Sequence, residues 1–588
     1  MQRAQFFSTR TSAASVVAIL SLLAGCSSVD SPRNNSVGGN SSSTGGGSGG
    51  TPNPAAGGMG GANVTGMNTD PTCTGSDVSA AKRIVRLSFN QVTNSIGSLI
   101  DAAFGTKLIT QFNVVDSEHR GFPPLASVLE GPQYGDGPWG KLDNIAQAAG
   151  QYVFDNFATV TGCGATPTDA CATTYLNTLA QKAYRRPLTA EEQMRLTTYY
   201  TTTLKGSIGA TINEAVQYSV YALLQSPAFV YRTEFGSDWT TDGALTPFET
   251  ASMLSYFLTD NAPDQPLLDA AAQNKLASAA DIGPQVDRLL MKDAAKTNLN
   301  GAMMSYFRYP NLETVVIQDD LFTGMMRQAM YHEAELFLQN GLWSGKVDDL
   351  LTSKKGYANA TLAPIYGVTV TAPGADGFGS FDLPAGRSGL LTQAGFLANT
   401  SRPNDTSVVA RGLLIKNAVL CSETPPPPAS VQDTINMILA ANPDASQRDL
   451  ANIRATTSPC NGCHASFDAY GLALDSFDEL GRYRATDPQG RPIDTSVTLP
   501  DVVGGGTAKD IVEVGQKLAA TGGFGKCLGR NLINFALADV SNGGADIDSC
   551  SVKRVSEAFT PTDQSFSSLL KAVATSAAFT NRSKGVAQ

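Results

Sequence analysis

The clearest fold signal in the chain is residues 246–258, TPFETASMLSYFL. Thr246 stands three residues before Glu249, which is the spacing of a capping box, and Pro247 occupies the first helical position. Behind this start, apolar side chains recur at near-helical spacing: Phe248, Ala251, Met253, Leu254 and Phe257. The stretch therefore predicts an amphipathic helix that buries one face.

The same signals recur along the chain. Ser88 with Gln91, and Thr189 with Glu192, have capping-box spacing before apolar runs. Residues 326–338 and 407–421 show further amphipathic helical periodicity, and residues 431–440 form another expected helix. Sustained strand alternation is scarce, and residues 366–371 are expected to form a small hairpin at most. The predicted fold class is mainly α.

The N-terminus has the pattern of an exported protein. Arg3 and Arg10 precede a short apolar run, residues 13–23, with Leu23-Ala24-Gly25-Cys26 at its end. The run is too short to span a bilayer, so residues 1–25 are expected to be a signal peptide. The ending resembles a bacterial lipobox, which makes Cys26 the candidate lipidation site. The alternative is an ordinary cysteine beside an ordinary cleavage site.

The residues after Cys26 are expected to tether a folded body to that lipid. Residues 26–72 are rich in Ser, Gly, Asn, Pro and Thr, and they contain little to bury. Ser27 follows Cys26, where an Asp commonly retains a lipoprotein at the inner membrane. We therefore expect an outer-membrane lipoprotein, facing the periplasm or the cell surface, whose N-terminal anchor is its only membrane contact.

Composition limits the partners of the body. Hydrophobic residues make up 42 % of the chain and charged residues 16 %, and the net charge is −10. No basic patch or arm is present, so no nucleic-acid partner is expected.

The nine cysteines suit an oxidising compartment. Without Cys26 and the close pair Cys460/Cys463, six remain for three disulfides. Cys163 and Cys171 flank a short loop and form the first expected pair. Cys527 is expected to bond Cys550 across a turn-rich stretch, and Cys73 is left with Cys421 by elimination.

The chemistry centres on residues 459–464, PCNGCH. Two thiols at this spacing can each add to a haem vinyl group, and the adjacent His464 can bind the iron. Nine Cys and three His in 588 residues would produce such a motif by chance roughly 10⁻³ times. We therefore expect one covalent haem c held by Cys460, Cys463 and His464.

Three alternatives remain for this motif. A redox-active CxxC pair belongs to a βαβ context, which the sequence does not suggest. A tetrahedral zinc site needs a fourth ligand, and no second CxxC or histidine pair lies nearby. The third alternative is a buried disulfide beside an incidental histidine.

The sixth iron ligand is open on sequence grounds. No Met or His follows His464, so such a ligand must come from upstream. The candidates are Met437, Met330, His332 and His119. The alternative for each is a core methionine or a surface histidine. Tyr470 or water are further choices.

Other catalytic motifs are missing from the sequence. His332-Glu333 begins like a zinc-protease helix, but Leu336 stands where the second histidine belongs. There is no nucleophile elbow, P-loop or dinucleotide-binding glycine fingerprint.

Beyond PCNGCH, several segments resemble the planctomycete-type cytochrome c multidomain family, secreted proteins built from consecutive uncharacterised domains. These segments are residues 86–91 (RLSFNQ), 183–189 (AYRRPLT), 226–232 (SPAFVYR), 389–393 (GLLTQ), 477–484 (FDELGRYR) and 535–537 (FAL). The resemblance implies a haem-binding, redox-active surface protein whose substrate is not established. One departure is Arg454, which stands where many relatives carry a histidine. If that histidine is the distal ligand, this chain uses another ligand or has an open site.

Two arginines after the motif are candidates for contacting the haem propionates. They are Arg482 and Arg484, near Asp478, because guanidinium groups pair well with carboxylates. The alternative is a solvated salt bridge at a helix end.

These observations predict a multidomain helical body with a small c-type haem domain near the C-terminus. Its expected divisions are a signal peptide (1–25), a tether (26–72), helical domains at 73–160, 161–240 and 241–384, a haem domain (385–500) and a helical domain (501–588). The expected function is electron transfer with an unidentified redox partner. The alternatives are a haem peroxidase or oxygenase acting on an extracellular substrate, and a surface binding or scaffold protein whose haem is incidental.

Overall fold

The computed structural model describes residues 81–112, 136–238, 240–422, 424, 427, 431–537 and 549–583. The described chain is mainly α-helical with a few short strands, which confirms the predicted fold class. The expected signal peptide, tether, Cys26, Cys73 and His119 lie outside the described residues, as does most of the proline run 425–428.

The first group of helices lies before residue 235. They are α1 Phe89–Leu99, α2 Ala102–Gln111, α3 Asp136–Asp155, α4 Phe157–Thr161, α5 Asp169–Ala183, α6 Ala190–Thr198, α7 Ile212–Leu224 and α8 Pro227–Val230. A π-helical segment, Tyr199–Ile208, continues α6.

The second group runs from residue 247 to residue 420. They are α9 Pro247–Thr259, α10 Gln265–Ala272, α11 Ala279–Leu290, α12 Asp293–Tyr306, α13 Gly324–Gly341, α14 Ala363–Tyr366, α15 Ala394–Asn399 and α16 Val408–Leu420. Short 3₁₀ turns lie at Tyr309–Glu313, Val347–Leu351 and Leu390–Thr392.

The third group surrounds and follows the CxxCH motif. They are α17 Val431–Ala441, α18 Gln447–Thr456, α19 Asn461–His464, α20 Asp468–Leu472, α21 Ile511–Ala520, α22 Gly523–Leu537, α23 Ser549–Phe559, α24 Phe566–Ala574 and α25 Ala577–Thr580. A 3₁₀ turn, Asp501–Val503, precedes three glycines with positive φ: Gly504, Gly505 and Gly506.

In the described part of the chain, the strands form four antiparallel pairs. β1 Arg83–Arg86 pairs with β2 Tyr231–Glu234, and β3 Gly243–Ala244 with β8 Asn581–Arg582. β4 Lys355–Ala358 pairs with β5 Gly379–Asp382, and β6 Val497–Thr498 with β7 Thr507–Ala508. Residues 366–371, for which a small hairpin was the most expected, form no strand: Tyr366 ends α14, and β4 and β5 flank this stretch.

The predicted helix starts are confirmed. Ser88, Thr189 and Thr246 each cap a helix through a complete capping box. Their side chains satisfy backbone N–H groups that a helix start otherwise leaves without partners. Residues 326–338 lie within α13, where the predicted apolar face is buried.

The helices enclose two apolar cores. One core is built mainly from residues 87–230 and contains Tyr256 from α9. The larger core is built from residues between 245 and 579. It also includes Val85 of β1, which lies near the start of the described chain. Residues on both sides of the CxxCH motif belong to this larger core, including Ala451 before it and Phe467 and Tyr470 after it.

The disulfides correct two predicted pairings. Cys163 bonds Cys171, as predicted, across a separation of 8 residues. Cys421 bonds Cys527 across 106 residues, so the expected pairs Cys527–Cys550 and Cys73–Cys421 are both wrong. Cys421 ends α16 and Cys527 lies in α22, and these two helices pack together. Cys550 is also disulfide-bonded.

A buried polar cluster joins α13 to the segment that leads to the motif. Glu333 is fully buried and accepts a hydrogen bond from the Tyr366 hydroxyl. The Arg387 guanidinium lies 4.4 Å from the Tyr366 ring centroid and 4.7 Å from that of Phe477. It also donates to the carbonyls of Thr392 and Gly481, so residues from three segments are fixed around one cation.

This cluster makes stability depend on pH. Burial raises the pKa of Glu333 from 4.5 to about 8. The carboxyl group is easily ionised in the unfolded chain but resists ionisation in the folded one. Stability is therefore highest below the unfolded pKa and falls as pH rises towards the folded value.

We expect wild type to lose about 2 kcal/mol between pH 5 and 7 relative to Glu333→Gln. Denaturant unfolding of both proteins at the two pH values measures this difference. Parallel pH profiles for the two proteins would contradict the assignment.

No helix in the described residues is both long and apolar enough to cross a membrane.

Candidate functional site

The CxxCH motif occupies a short turn between α18 and α20. The Cys460 carbonyl accepts the backbone N–H of Cys463 at 3.2 Å and that of His464 at 3.1 Å. This closes the single turn α19, which places two thiols and an imidazole within five consecutive residues.

The two motif cysteines carry free thiols. Cys460 is buried and Cys463 is half-buried. Every other cysteine in the described ranges is in a disulfide: Cys163, Cys171, Cys421, Cys527 and Cys550. The motif pair is thus the one place in these ranges where thiols are available for covalent chemistry.

His464 is oriented by an acidic partner one helical turn later. Its Nδ1 lies 3.0 Å from Oδ1 of Asp468, and the two side chains are only 18 % and 9 % exposed. Because an ionised carboxylate only accepts hydrogen bonds, Nδ1 carries the proton. In the neutral ring Nε2 then keeps its lone pair, which is the form that binds a metal.

Arg454 holds the other oxygen of the same carboxylate. Its Nε donates to Asp468 Oδ2 at 3.0 Å, and its Nη2 is buried without a partner. The guanidinium holds the Asp468 carboxylate in a fixed direction. Arg454, at the position where the family resemblance leads one to expect a histidine, therefore contacts the carboxylate that binds His464 Nδ1.

Aromatic and basic side chains complete the surroundings. The rings of His464 and Phe467 are 4.8 Å apart. Tyr470 is buried with no partner for its hydroxyl, and burial raises its pKa. Burial lowers the pKa of Lys416.

Close backbone packing fixes the motif against α16. A Cβ on Gly471 would lie 1.9 Å from the Val408 carbonyl oxygen, and one on Gly412 would lie 2.2 Å from that of Phe467. Beside this contact, the fully buried Arg411 donates to the carbonyls of Leu474, Phe477 and Asp478. Glycine is required at both crossings, because α16 and α20 touch through their backbones.

The structure separates the candidates for a sixth ligand. Met437 lies on α17, where no residue is buried, and its side chain is 64 % exposed. Met330 is fully buried in the core on α13. His332 is engaged with Glu335 at 2.9 Å and Asp376 at 3.2 Å. Of the described candidates, Met437 is the one whose side chain is exposed and whose position in the sequence is close to the motif.

Arg482 and Arg484 are already paired with carboxylates. Arg482 contacts Asp478 at 2.5 Å and Asp319 at 2.7 Å. Arg484 lies 3.5 Å from Asp475. These ion pairs agree with the alternative interpretation, in which the two arginines form salt bridges rather than contacts with the haem propionates.

Sequence reasoning missed Asp468. The signal was present, because residues four apart on helical turns face each other and Asp468 follows His464 at that spacing. Within the described ranges, no three His, Cys, Asp or Glu side chains are grouped closely enough to hold a bare metal ion.

Three family models match consecutive parts of the chain. Residues 171–234 match PSD5, a protein of unknown function (DUF1595). Residues 245–368 match PSD4, a protein of unknown function (DUF1592), and residues 387–487 match PSCyt3, a protein of unknown function (DUF1588). All three are domains of the planctomycete cytochrome c-type multidomain proteins. No curated protein and no solved structure matches the chain.

Proposed function

We propose that this chain carries one covalent haem c, attached through Cys460 and Cys463 and ligated by His464, and that it transfers electrons. The observation that carries the proposal is the hydrogen bond between His464 Nδ1 and Asp468 beside two free thiols. In the neutral ring, this bond leaves Nε2 with the lone pair that axial ligation requires. The name of the PSCyt3 model, which spans residues 387–487, supports the same proposal.

The residues at the motif fit such a group. Two thiols three residues apart on one turn suit two thioether bonds, and a bound haem would supply one-electron exchange. The protein's part is to hold the axial imidazole through Asp468 and Arg454. The buried Arg454 Nη2 and the Tyr470 hydroxyl, both without partners, are donors still available to an acceptor that the chain itself does not supply.

A second candidate, a haem peroxidase or oxygenase, is favoured by the same carboxylate. A charged acceptor on Nδ1 makes an imidazole a stronger electron donor to iron than a neutral acceptor does. Stronger donation stabilises ferric iron and lowers its reduction potential, which suits activation of an oxidant.

Asp468→Asn is expected to raise the reduction potential of the bound haem. The amide has a similar size and its oxygen can still accept from Nδ1, but the charge is gone. We expect a shift of roughly 50–100 mV, equivalent to about 1–2 kcal/mol.

Spectroelectrochemical titration of wild type and variant measures this shift. Asp475→Asn, which removes a buried carboxylate that pairs with Arg484 instead, is the matched control. An unchanged potential in Asp468→Asn would contradict the assigned role.

Carbon monoxide distinguishes the two candidate functions. We expect the reduced haem of an electron carrier to keep its spectrum under carbon monoxide, because a protein ligand occupies the sixth position. If Met437 is that ligand, Met437→Ala makes the spectrum sensitive to carbon monoxide. A wild-type spectrum that already changes would favour the enzyme and contradict the carrier.

We further propose that the protein is exported and anchored to the outer membrane through a lipid on Cys26. The lipobox-like ending at residues 23–26 supports this. Cys26→Ser is expected to move the protein from the membrane fraction to the soluble periplasmic or extracellular fraction. A membrane association that survives this change would contradict the anchor.

A further inference from the structure

A groove lies between the β1–β2 pair and the start of α9, and it includes none of the motif residues. Its volume is about 980 Å³. Small-molecule sites in proteins typically measure about 300–1,000 Å³, so this groove can accommodate a compact organic ligand. No proposed role of the haem motif uses it.

One part of the groove is aromatic. Its lining includes Tyr184, Tyr231, Phe235 and Phe248, all of which are half-buried. Partly exposed rings of this kind offer faces and edges for a second ring.

The other part is basic. The described lining of the groove includes four arginines: Arg83, Arg185, Arg186 and Arg232. It includes one carboxylate, that of Glu249. That carboxylate already caps α9 and accepts the N–H groups of Phe235 and Gly236. In a chain of net charge −10, this local excess of arginine favours an anion.

Two of the arginines already use their guanidinium groups in hydrogen bonds within the protein. Arg185 donates to the main-chain carbonyls of Ala183, Ala228, Phe229 and Tyr231. Arg186 makes a two-pronged pair with Glu192, with both N–O distances at 2.8 Å. Because these donors already have partners, neither arginine is expected to be the main contact for a bound ligand.

Arg232 differs from them. It is only 6 % exposed, and its charged partner is Glu234 at 3.2 Å. Glu234 is shared with Arg83 at 3.0 Å and Arg582 at 2.6 Å, so three arginines surround one carboxylate. The Nε of Arg232 is buried without a hydrogen-bond partner, and burial lowers the pKa of this side chain to about 10. A second anion beside Arg232 would relieve this excess of positive charge.

We propose that the groove binds a small aromatic carboxylate, with its ring among Tyr184, Tyr231, Phe235 and Phe248 and its carboxylate at Arg232. A carboxylate matches the planar guanidinium in shape and charge. A sugar acid is a poorer match, because an aromatic wall offers few partners for many hydroxyl groups.

Benzoate and its neutral counterpart benzamide test this proposal on the full-length chain by isothermal titration or ligand-observed NMR. The two have nearly the same size and differ in charge. We expect benzoate to bind at least about tenfold more tightly than benzamide, since loss of one charge-assisted contact costs that much or more. Acetate, which lacks the ring, is expected to bind more weakly than benzoate.

Substitutions at Thr233 provide a test that leaves the arginine cluster intact. Thr233 lines the groove, is exposed on β2 and lies opposite Ile84. We expect Thr233→Glu to weaken benzoate binding at least about tenfold by charge repulsion. Thr233→Gln should leave benzoate binding nearly unchanged, and Thr233→Lys should not weaken it.

Arg232→Gln is expected to abolish the preference for benzoate over benzamide. If that variant does not fold, the Thr233 series decides. The proposal is overturned if benzoate does not bind, if benzoate and benzamide bind equally, or if Thr233→Glu leaves benzoate affinity unchanged. The Cys460→Ala/Cys463→Ala variant is expected to bind benzoate as wild type does, because the groove contains no motif residue.

Discussion

Gly471→Ala is expected to lower the free energy of unfolding by about 3–5 kcal/mol. The new Cβ would lie 1.9 Å from the Val408 carbonyl oxygen, a distance that no rotamer change relieves because both groups belong to the backbone. Helices α16 and α20 must therefore separate, and the core around Phe467 and Tyr470 loses its packing.

A different glycine, Gly462 within the CxxCH motif, provides a matched control. A Cβ on Gly462 meets no atom within 4 Å, so Gly462→Ala should change the free energy of unfolding by less than about 1 kcal/mol. Gly412→Ala, whose Cβ would lie 2.2 Å from the Phe467 carbonyl oxygen, should resemble Gly471→Ala. Denaturant unfolding of the three variants measures these effects. Equal stability of Gly471→Ala and Gly462→Ala would mean that the two helices do not touch as described.

Removal of the Cys421–Cys527 disulfide is expected to have a comparable effect. The bond spans 106 residues, and closing a loop of that length removes about 4–5 kcal/mol of entropy from the unfolded chain in the chain-entropy model. Cys421→Ala/Cys527→Ala should lower stability by about that amount under oxidising conditions. The change also releases the end of α16, which holds the motif.

The short disulfide serves as the comparison. Cys163 and Cys171 are 8 residues apart, and the same model gives about 2–3 kcal/mol for so small a loop. Unfolding of both double variants without reductant gives the difference directly. Equal losses would show that loop length does not govern these bonds.

The sequence predicts local features of this fold well. The start of α9 at Thr246 depends on two side chains and two backbone groups within four residues, so spacing alone reveals it. The pairing of Cys421 with Cys527 depends instead on which helices pack together. Turn residues between Cys527 and Cys550 suggested a local bond, but the packing of α22 against α16 decides the partner.

The same contrast applies to the site. Cys460, Cys463 and His464 can be recognised in the sequence as a motif. Asp468 could also have been predicted as a partner of His464 from its helical spacing. The contact of Arg454 with Asp468 requires the turn between α18 and α20 to be formed. The groove is still harder to foresee, because β1 and β2 bring residues 83–86 against residues 231–234 from distant parts of the chain.

Mass spectrometry of the exported protein under denaturing conditions tests whether haem is attached covalently to the chain. The host must contain the machinery for c-type haem attachment, and Cys460→Ala/Cys463→Ala is produced alongside. We expect the wild-type polypeptide to keep the mass of one haem after unfolding and the double variant to carry none. A wild-type polypeptide without haem, or one that releases all haem on unfolding, would contradict covalent attachment at Cys460 and Cys463.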